Sequence, residues 1–189
     1  MFSEFQRKKH TYFFSLLDLN RNGLLQFNDF SDMTEQVRVR FGLDEGGKEH
    51  KNIADKATRL FHQLLSDISP SESQSINQDE WIAFFENRLG GKFNEDALTE
   101  YQELIFRYVF DFFDHNHDGF ITKDEYKIFF EIFGADATFF EKSFNQLDHN
   151  ADGKISRYEM MAAIEDFLIS DDPKAPGNWA FGNWESDPA

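Results

Sequence analysis

The chain has 189 residues, with 35 Asp and Glu against 19 Lys and Arg, a formal net charge of −16, 24 Phe and no Cys. That acidity argues against nucleic acid, whose phosphates recruit Lys and Arg, and suits cations or basic targets; without cysteine there are no disulfides, and a reducing, cytoplasmic compartment is expected. No stretch approaches the roughly 20 apolar residues of a membrane span, and the first residues, Met1-Phe2-Ser3, show neither an apolar leader nor a myristoylation signal, so no membrane anchor is expected.

A first helix is expected from about Ser3, as cap, to Leu17. Next comes a twelve-residue stretch with Asp18, Asn20, Asn22, Gln26 and Asp29 at positions 1, 3, 5, 9 and 12, and Gly23 at position 6. Position 7, Leu24, offers its carbonyl. The second helix carries Phe30, Met33, Val37 and Phe41 on one face and stops at Gly42 and Gly46-Gly47. The third, about Lys48 to Ser66, sets Ile53, Ala57, Leu60, Phe61, Leu64, Leu65 and Ile68 at helical spacing. A fourth carries Trp81, Phe85 and Leu89 and ends at Gly90-Gly91, read as the boundary between units 1–91 and 92–170. Asn94 then caps a long helix bearing Leu104, Ile105, Tyr108, Val109, Phe112 and Phe113.

The twelve-residue pattern returns twice with Glu at position 12. One copy has Asp114, Asn116, Asp118, the Phe120 carbonyl, Thr122 and Glu125; the other has Asp148, Asn150, Asp152, the Lys154 carbonyl, Ser156 and Glu159. Gly134 separates them. The last helix, Arg157 to about Ile169, is expected to turn Met161, Ile164 and Leu168 inward, and Asp171-Asp172-Pro173 ends it before a tail, 171–189, with three large rings.

These positions form the EF-hand calcium loop. Ca²⁺ is a hard cation that takes six to eight oxygens, and a position-12 Glu can give it two. Gly at position 6 makes a turn that other residues resist, and the aliphatic residue at position 8 points into the core. EF-hands pair through position 8, so three loops imply a fourth. The apolar frame locates it: Leu65, Ile68, Trp81 and Phe84/Phe85 flank Ser69 to Glu80, with Ile76 at position 8. Ser69, Pro70, Ser71, Glu72, Ser73 and Gln74 stand where ligands and Gly belong, so this loop is expected to bind no calcium and to serve as partner for the first. The fold expected is all-α: four helix-loop-helix units in two pairs, compact, with short β-ribbons between paired loops.

The whole chain resembles the sarcoplasmic calcium-binding protein group, which includes calexcitin-like and calerythrin-like members. The silent second loop, Asp29 closing the first, and the tail Gly177-Asn178-Trp179-Ala180-Phe181-Gly182 carry the likeness. It implies four hands with one or more silent, and a tail packed back on the body. Three rings left in water would also be unusual.

Three calcium sites are expected, unequal in strength. Loops three and four each offer three carboxylates and the first only Asp18 and Asp29, so the first is expected to be weaker or to hold Mg²⁺ at rest. His115, His117 and His149, at positions 2 and 4, read as solvated loop residues rather than zinc ligands. Neither a phosphate-cradling Gly loop nor a nucleophile elbow is present, and no enzymatic activity is expected. Four Met are few for a sensor's groove, so a monomeric calcium buffer is favoured. A calexcitin-like sensor with a protein target is the second reading. A binder of a small apolar ligand, as in luciferin-binding proteins or photoproteins, is a remote third.

Overall fold

Ser3 begins the first helix: its hydroxyl accepts from the Gln6 N–H while the Gln6 side chain accepts from the Ser3 N–H, a reciprocal cap. The computed structural model describes residues 1–69, 73–89 and 95–185. The boundary expected at Gly90-Gly91, the cap expected at Asn94, and Pro70, Ser71 and Glu72 lie outside the described residues. In chain order the elements are α1 (Glu4–Leu17), β1 (Leu24–Gln26), α2 (Phe27–Phe41), α3 (Lys48–Ile68), β2 (Ser75–Asn77), α4 (Gln78–Leu89), α5 (Glu95–Phe113), β3 (Phe120–Thr122), α6 (Lys123–Phe133), α7 (Phe140–Leu147), β4 (Lys154–Ser156) and α8 (Arg157–Ile169). Gly42 and Gly134 end α2 and α6 at φ 66° and 64°, the left-handed cap that a Cβ disfavours.

The position-8 residues pair as expected. β1 and β2 run antiparallel with Leu25 opposite Ile76, and β3 and β4 with Ile121 opposite Ile155. All four side chains are fully buried, so each ribbon ties two loops together and roots them in the core.

The two pairs share that core. Phe30 of α2 lies 6.2 Å from Tyr108 of α5, and Tyr108 donates to the Met33 sulfur. Phe13 of α1 packs edge-on against both Trp81 of α4 (5.8 Å) and Phe167 of α8 (5.7 Å). Arg40 pairs with Glu131 at the rim. One expectation is corrected: Met160, not Met161, is buried on α8. Met161 is half-buried at a cleft against α5.

The tail fills the groove where α1, α6 and α8 meet. A short 3-10 turn, Pro176–Trp179, lies on α8, and Gly177 is required there because a Cβ would stand 2.3 Å from the Ala163 carbonyl oxygen. The Phe181 ring stacks on Phe13 at 4.6 Å and meets Phe167 edge-on at 4.7 Å. Tyr12 donates to the Phe181 carbonyl and Tyr126 to the Ala180 carbonyl, each at 3.0 Å. Phe181 is 1% exposed.

Candidate metal centres

Loops one, three and four adopt one backbone conformation. Position 4 is left-handed in each, at Arg21 (φ 57°), His117 (57°) and Ala151 (56°), followed by Gly23 (79°), Gly119 (86°) and Gly153 (84°). Non-glycine residues enter this region only under constraint. The recurrence at one position, with three different side chains, shows that the loop imposes it.

The expected donors converge in all three. The position-1 carboxylate accepts from the N–H groups of positions 5 and 6: Asp18 from Asn22 and Gly23 (3.2 and 2.8 Å), Asp114 from Asp118 and Gly119 (3.0 and 3.1 Å), Asp148 from Asp152 and Gly153 (3.1 and 2.9 Å). The side-chain oxygens of Asn20, Asn116 and Asn150 accept from the N–H of position 5, and those of Asn22, Asp118 and Asp152 from position 7 at Leu24, Phe120 and Lys154. Each loop therefore curls round its own oxygens.

Position 12 closes the loop. Glu125 accepts from the His115 N–H (3.1 Å) on one oxygen, and from the Thr122 N–H and hydroxyl (both 2.8 Å) on the other. Glu159 accepts likewise from His149 (3.0 Å) and from the Ser156 N–H and hydroxyl (2.8 and 2.7 Å). Burial alone would raise the Glu159 carboxyl; the hydrogen bonds from Ser156, Asn150 and His149 outweigh it and hold the group below its ordinary value. The hydroxyls of Thr122 and Ser156 also cap α6 and α8, so position 9 binds the closing Glu.

Loop one is built differently at that end. Asp29 is completely buried, and its shorter arm draws the Asn20 side-chain amide across to it at 2.8 Å. In the other loops that amide bonds to the position-5 carboxylate, at 3.2 Å in Asp118 and 3.0 Å in Asp152. Asn22 has no carboxylate and bonds Gln26 instead (3.0 Å). Burial raises the Asp29 carboxyl despite its bonds from Gln26 and Asn20, with Asp18 and Asp32 adding to the rise; burial likewise raises Asp114.

These donor sets fit a hard divalent cation. Asp18, Asn20, Asn22, the Leu24 carbonyl, Gln26 and Asp29 would hold it in loop one; the equivalent six residues would do so in loops three and four. Among the described residues no group of three or more His, Asp or Glu side chains gathers by itself; each set counts amide, hydroxyl and carbonyl oxygens beside its carboxylates, and a hard cation accepts all of these. Glu80 of loop two accepts from Ser69 (3.1 Å) and the Asn77 N–H (2.9 Å). It keeps the bond from position 9, and its other oxygen takes the Ser69 hydroxyl in place of a position-2 N–H.

One reading needs adjustment. His115 is not a free loop residue: it is half-buried and stacks on Phe41 at 4.6 Å, while His117 and His149 are exposed. Lys9 and His10, which sequence reasoning did not single out, are fully buried. Lys9 bonds the Asp166 and Ser170 carbonyls and the Asn178 side chain (3.1, 2.8 and 2.8 Å), tying α1 to the end of α8 and to the tail. Spacing carries the signal: Lys9 stands four residues from both Phe5 and Phe13, and His10 four before Phe14, on the apolar side of α1.

A family model of the EF-hand domain pair matches residues 103–165. Over 168 residues the chain is 31% identical to the sarcoplasmic calcium-binding protein of Perinereis vancaurica tetradentata, spanning 87% of this chain and 90% of that one. Over 171 residues it is 34% identical to the luciferin-binding protein of Renilla reniformis, spanning 88% of each. The solved structure of the coelenterazine-binding protein of Renilla muelleri, in its calcium-loaded apo form, matches with a TM-score of 0.79 over 96% of this chain and 99% of that one. At 20% identity that last likeness is one of fold.

Proposed function

The chain belongs to the EF-hand family of sarcoplasmic calcium-binding proteins and is a calcium-binding protein; from that premise we propose that it acts as a monomeric cytoplasmic calcium buffer without enzymatic activity. Loops three and four take Ca²⁺, and loop one, with two carboxylates and a closing Asp, holds Mg²⁺ at rest and yields to Ca²⁺ slowly. A smaller, six-coordinate ion suits a position-12 side chain that gives one oxygen rather than two.

One observation carries the choice of buffer: the protein's own tail occupies the groove that a sensor would open. Sensor hands expose an apolar groove as their exit helices swing out, whereas buffer hands barely open. Here the exit helices α6 and α8 are joined through the tail, by Tyr126 to the Ala180 carbonyl and by Asp166 accepting from the Gly177 N–H (3.2 Å). Swinging either helix would expel Phe181 from the core, and burying one such side chain is worth about 1.5–3 kcal/mol.

A calcium titration in millimolar-scale Mg²⁺, with a dye that reports exposed apolar surface, tests this. The dye is expected to stay dark through full occupancy. Emission rising with bound calcium would replace the buffer by a sensor with a protein target.

A second reading, a carrier of a small aromatic ligand, is favoured by the 34% identity to the luciferin-binding protein and by His10 lying inside the aromatic core, 4.7 Å from Phe2 and 5.0 Å from Phe85. Phe181 and its neighbours fill that core here, so a ligand would have to displace the tail. Added coelenterazine is expected to leave tryptophan emission unchanged; saturable quenching would establish the carrier.

A further inference from the structure

Basic residues are the minority in this chain, 19 against 35 acidic, yet one face reverses the balance. Two adjoining clefts lie there, about 440 Å³ between α5 and α8 and about 300 Å³ between α3 and α5. Among the described residues their walls carry Lys56, Arg59, Arg107 and Arg157 against a single acid, Glu103. Arg107 stands on the ridge between the clefts and belongs to both. Their floors are apolar: Phe106 and Met161 in the first, Leu60, Leu104 and Tyr108 in the second. At the rim Tyr158 is 85% exposed.

The three arginines are available. Among the described residues neither Arg59 nor Arg157 has a carboxylate partner, and both are exposed. The Arg157 guanidinium sits over the rings of Phe110 (4.7 Å) and Phe106 (5.2 Å), cation–π contacts that hold it at the cleft. Arg107 meets Glu103 at 3.5 Å with both side chains more than half exposed, an arrangement worth little and readily exchanged.

We propose that this face docks an acidic amphipathic segment of a partner protein, with its apolar side chains in the two clefts and its carboxylates on Arg59, Arg107 and Arg157. The guanidinium fork pairs with carboxylates in two parallel hydrogen bonds, which a point charge cannot do. The remaining surface supplies the specificity: with the rest of the chain strongly acidic, such a segment is repelled everywhere else. An anionic membrane is the other polyanion to consider, but the face is concave where a bilayer is flat, and the net charge opposes the approach. Docking here uses surface present in the closed molecule, so it is independent of whether calcium opens a groove, and it would station a buffer beside a chosen partner.

Fluorescence anisotropy of a labelled acidic helix tests the proposal, using about 18 residues of Glu and Leu with the Leu on one face, about 27 Å long, titrated with the full calcium-loaded chain. The helix is expected to bind, a scrambled peptide of the same composition to bind at least about tenfold more weakly, and the double variant Arg59→Glu/Arg107→Glu to lose about tenfold or more in affinity. Calcium stoichiometry and thermal melting of that variant, both substitutions being exposed and away from the loops, are expected to be unchanged. No binding of the acidic helix, equal binding of the scrambled peptide, or binding indifferent to the charge reversal would each overturn the proposal. So would capture by phosphatidylserine vesicles in place of the peptide.

Discussion

Leu25 faces Ile76 in the N-terminal ribbon as Ile121 faces Ile155 in the C-terminal one, and all four are fully buried. Above that shared floor the loops diverge. By sequence each C-terminal loop offers three carboxylates; in the N-terminal pair, loop one offers two, and loop two has Ser69, Ser73 and Gln74 at positions 1, 5 and 6. Glu80 shows what survives. It accepts from the Asn77 N–H, and its own N–H donates to the Asn77 side chain, both at 2.9 Å, so it still starts α4 as Glu125 and Glu159 start α6 and α8. The position-12 acid therefore has two jobs, capping a helix and closing a metal site, and the first needs no metal. Pairing is held by buried aliphatics and caps. These contacts need no bound ion.

The tail marks a second difference, since it lies on the exit helices of the C-terminal pair, while the N-terminal pair is covered by α5 through Tyr108. Phe181→Ala is the largest way to break that asymmetry. It deletes a fully buried ring that stacks on Phe13, and a loss of about 3–5 kcal/mol is expected in chemical denaturation. With calcium bound, this variant is also expected to bind the apolar-surface dye that the parent protein leaves dark. A destabilised variant that stays dark would show that the tail stabilises the body without clamping the hands.

The seam between the two pairs can be probed by pH. Burial, the first cause, and the neighbouring Lys9 charge hold His10 at about 4, against an ordinary 6.5. Its Nε2 donates to the Leu168 carbonyl at 3.1 Å, and among the described residues its Nδ1 has no hydrogen-bond partner. The unfolded chain takes a proton below about 6.5 that the folded state refuses, so stability is full above that pH and declines as pH falls toward 4. The decline is expected to reach roughly 3 kcal/mol, and His10→Gln is expected to remove it from melts recorded between pH 6.5 and 4 in the absence of calcium. An unchanged slope would place the acid sensitivity in the loop carboxylates.

Position 12 separates the pairs most directly. Glu159→Gln and Glu125→Gln are each expected to weaken one site at least about a hundredfold, roughly 2.7 kcal/mol, so that the titration shows one ion fewer. Glu80→Gln is expected to leave calcium uptake unchanged and to cost about 1 kcal/mol as a weakened cap. Calcium loss in Glu80→Gln would mean that loop two holds an ion with donors other than those assigned.

Much of this was legible from spacing. The loop positions, the position-8 pairing and the apolar frame follow from short local patterns, and the ribbons and helix ends at Gly42 and Gly134 fall where these put them. What spacing could not give was the packing between patterns. Nothing local says that Phe41 will shelter His115, or that Tyr108 will meet Phe30 and Met33, because those contacts join residues far apart in the chain. Lys9 and His10 were masked by charge type. Their buried position follows from helical phase, but a buried Lys is tolerable only because the end of α8 and Asn178 supply three acceptors from beyond residue 165.

Asp29→Glu addresses the smallest difference, that between loop one and loops three and four. Asp29 already takes the position-9 N–H of Gln26 at 2.8 Å; the extra methylene would let its other oxygen reach the position-2 N–H as Glu125 does, freeing the Asn20 amide that Asp29 now holds. A two-oxygen ligand raises the coordination number, which Ca²⁺ accepts and the octahedral Mg²⁺ does not. Competition titrations are expected to show the preference of this site for Ca²⁺ over Mg²⁺ rising about tenfold, roughly 1.4 kcal/mol. Asn22→Asp is the companion, adding charge without reach, and is expected to tighten both ions with little change in their ratio. If Asn22→Asp shifts the ratio and Asp29→Glu does not, the selectivity of loop one resides in its charge rather than in the length of its closing arm.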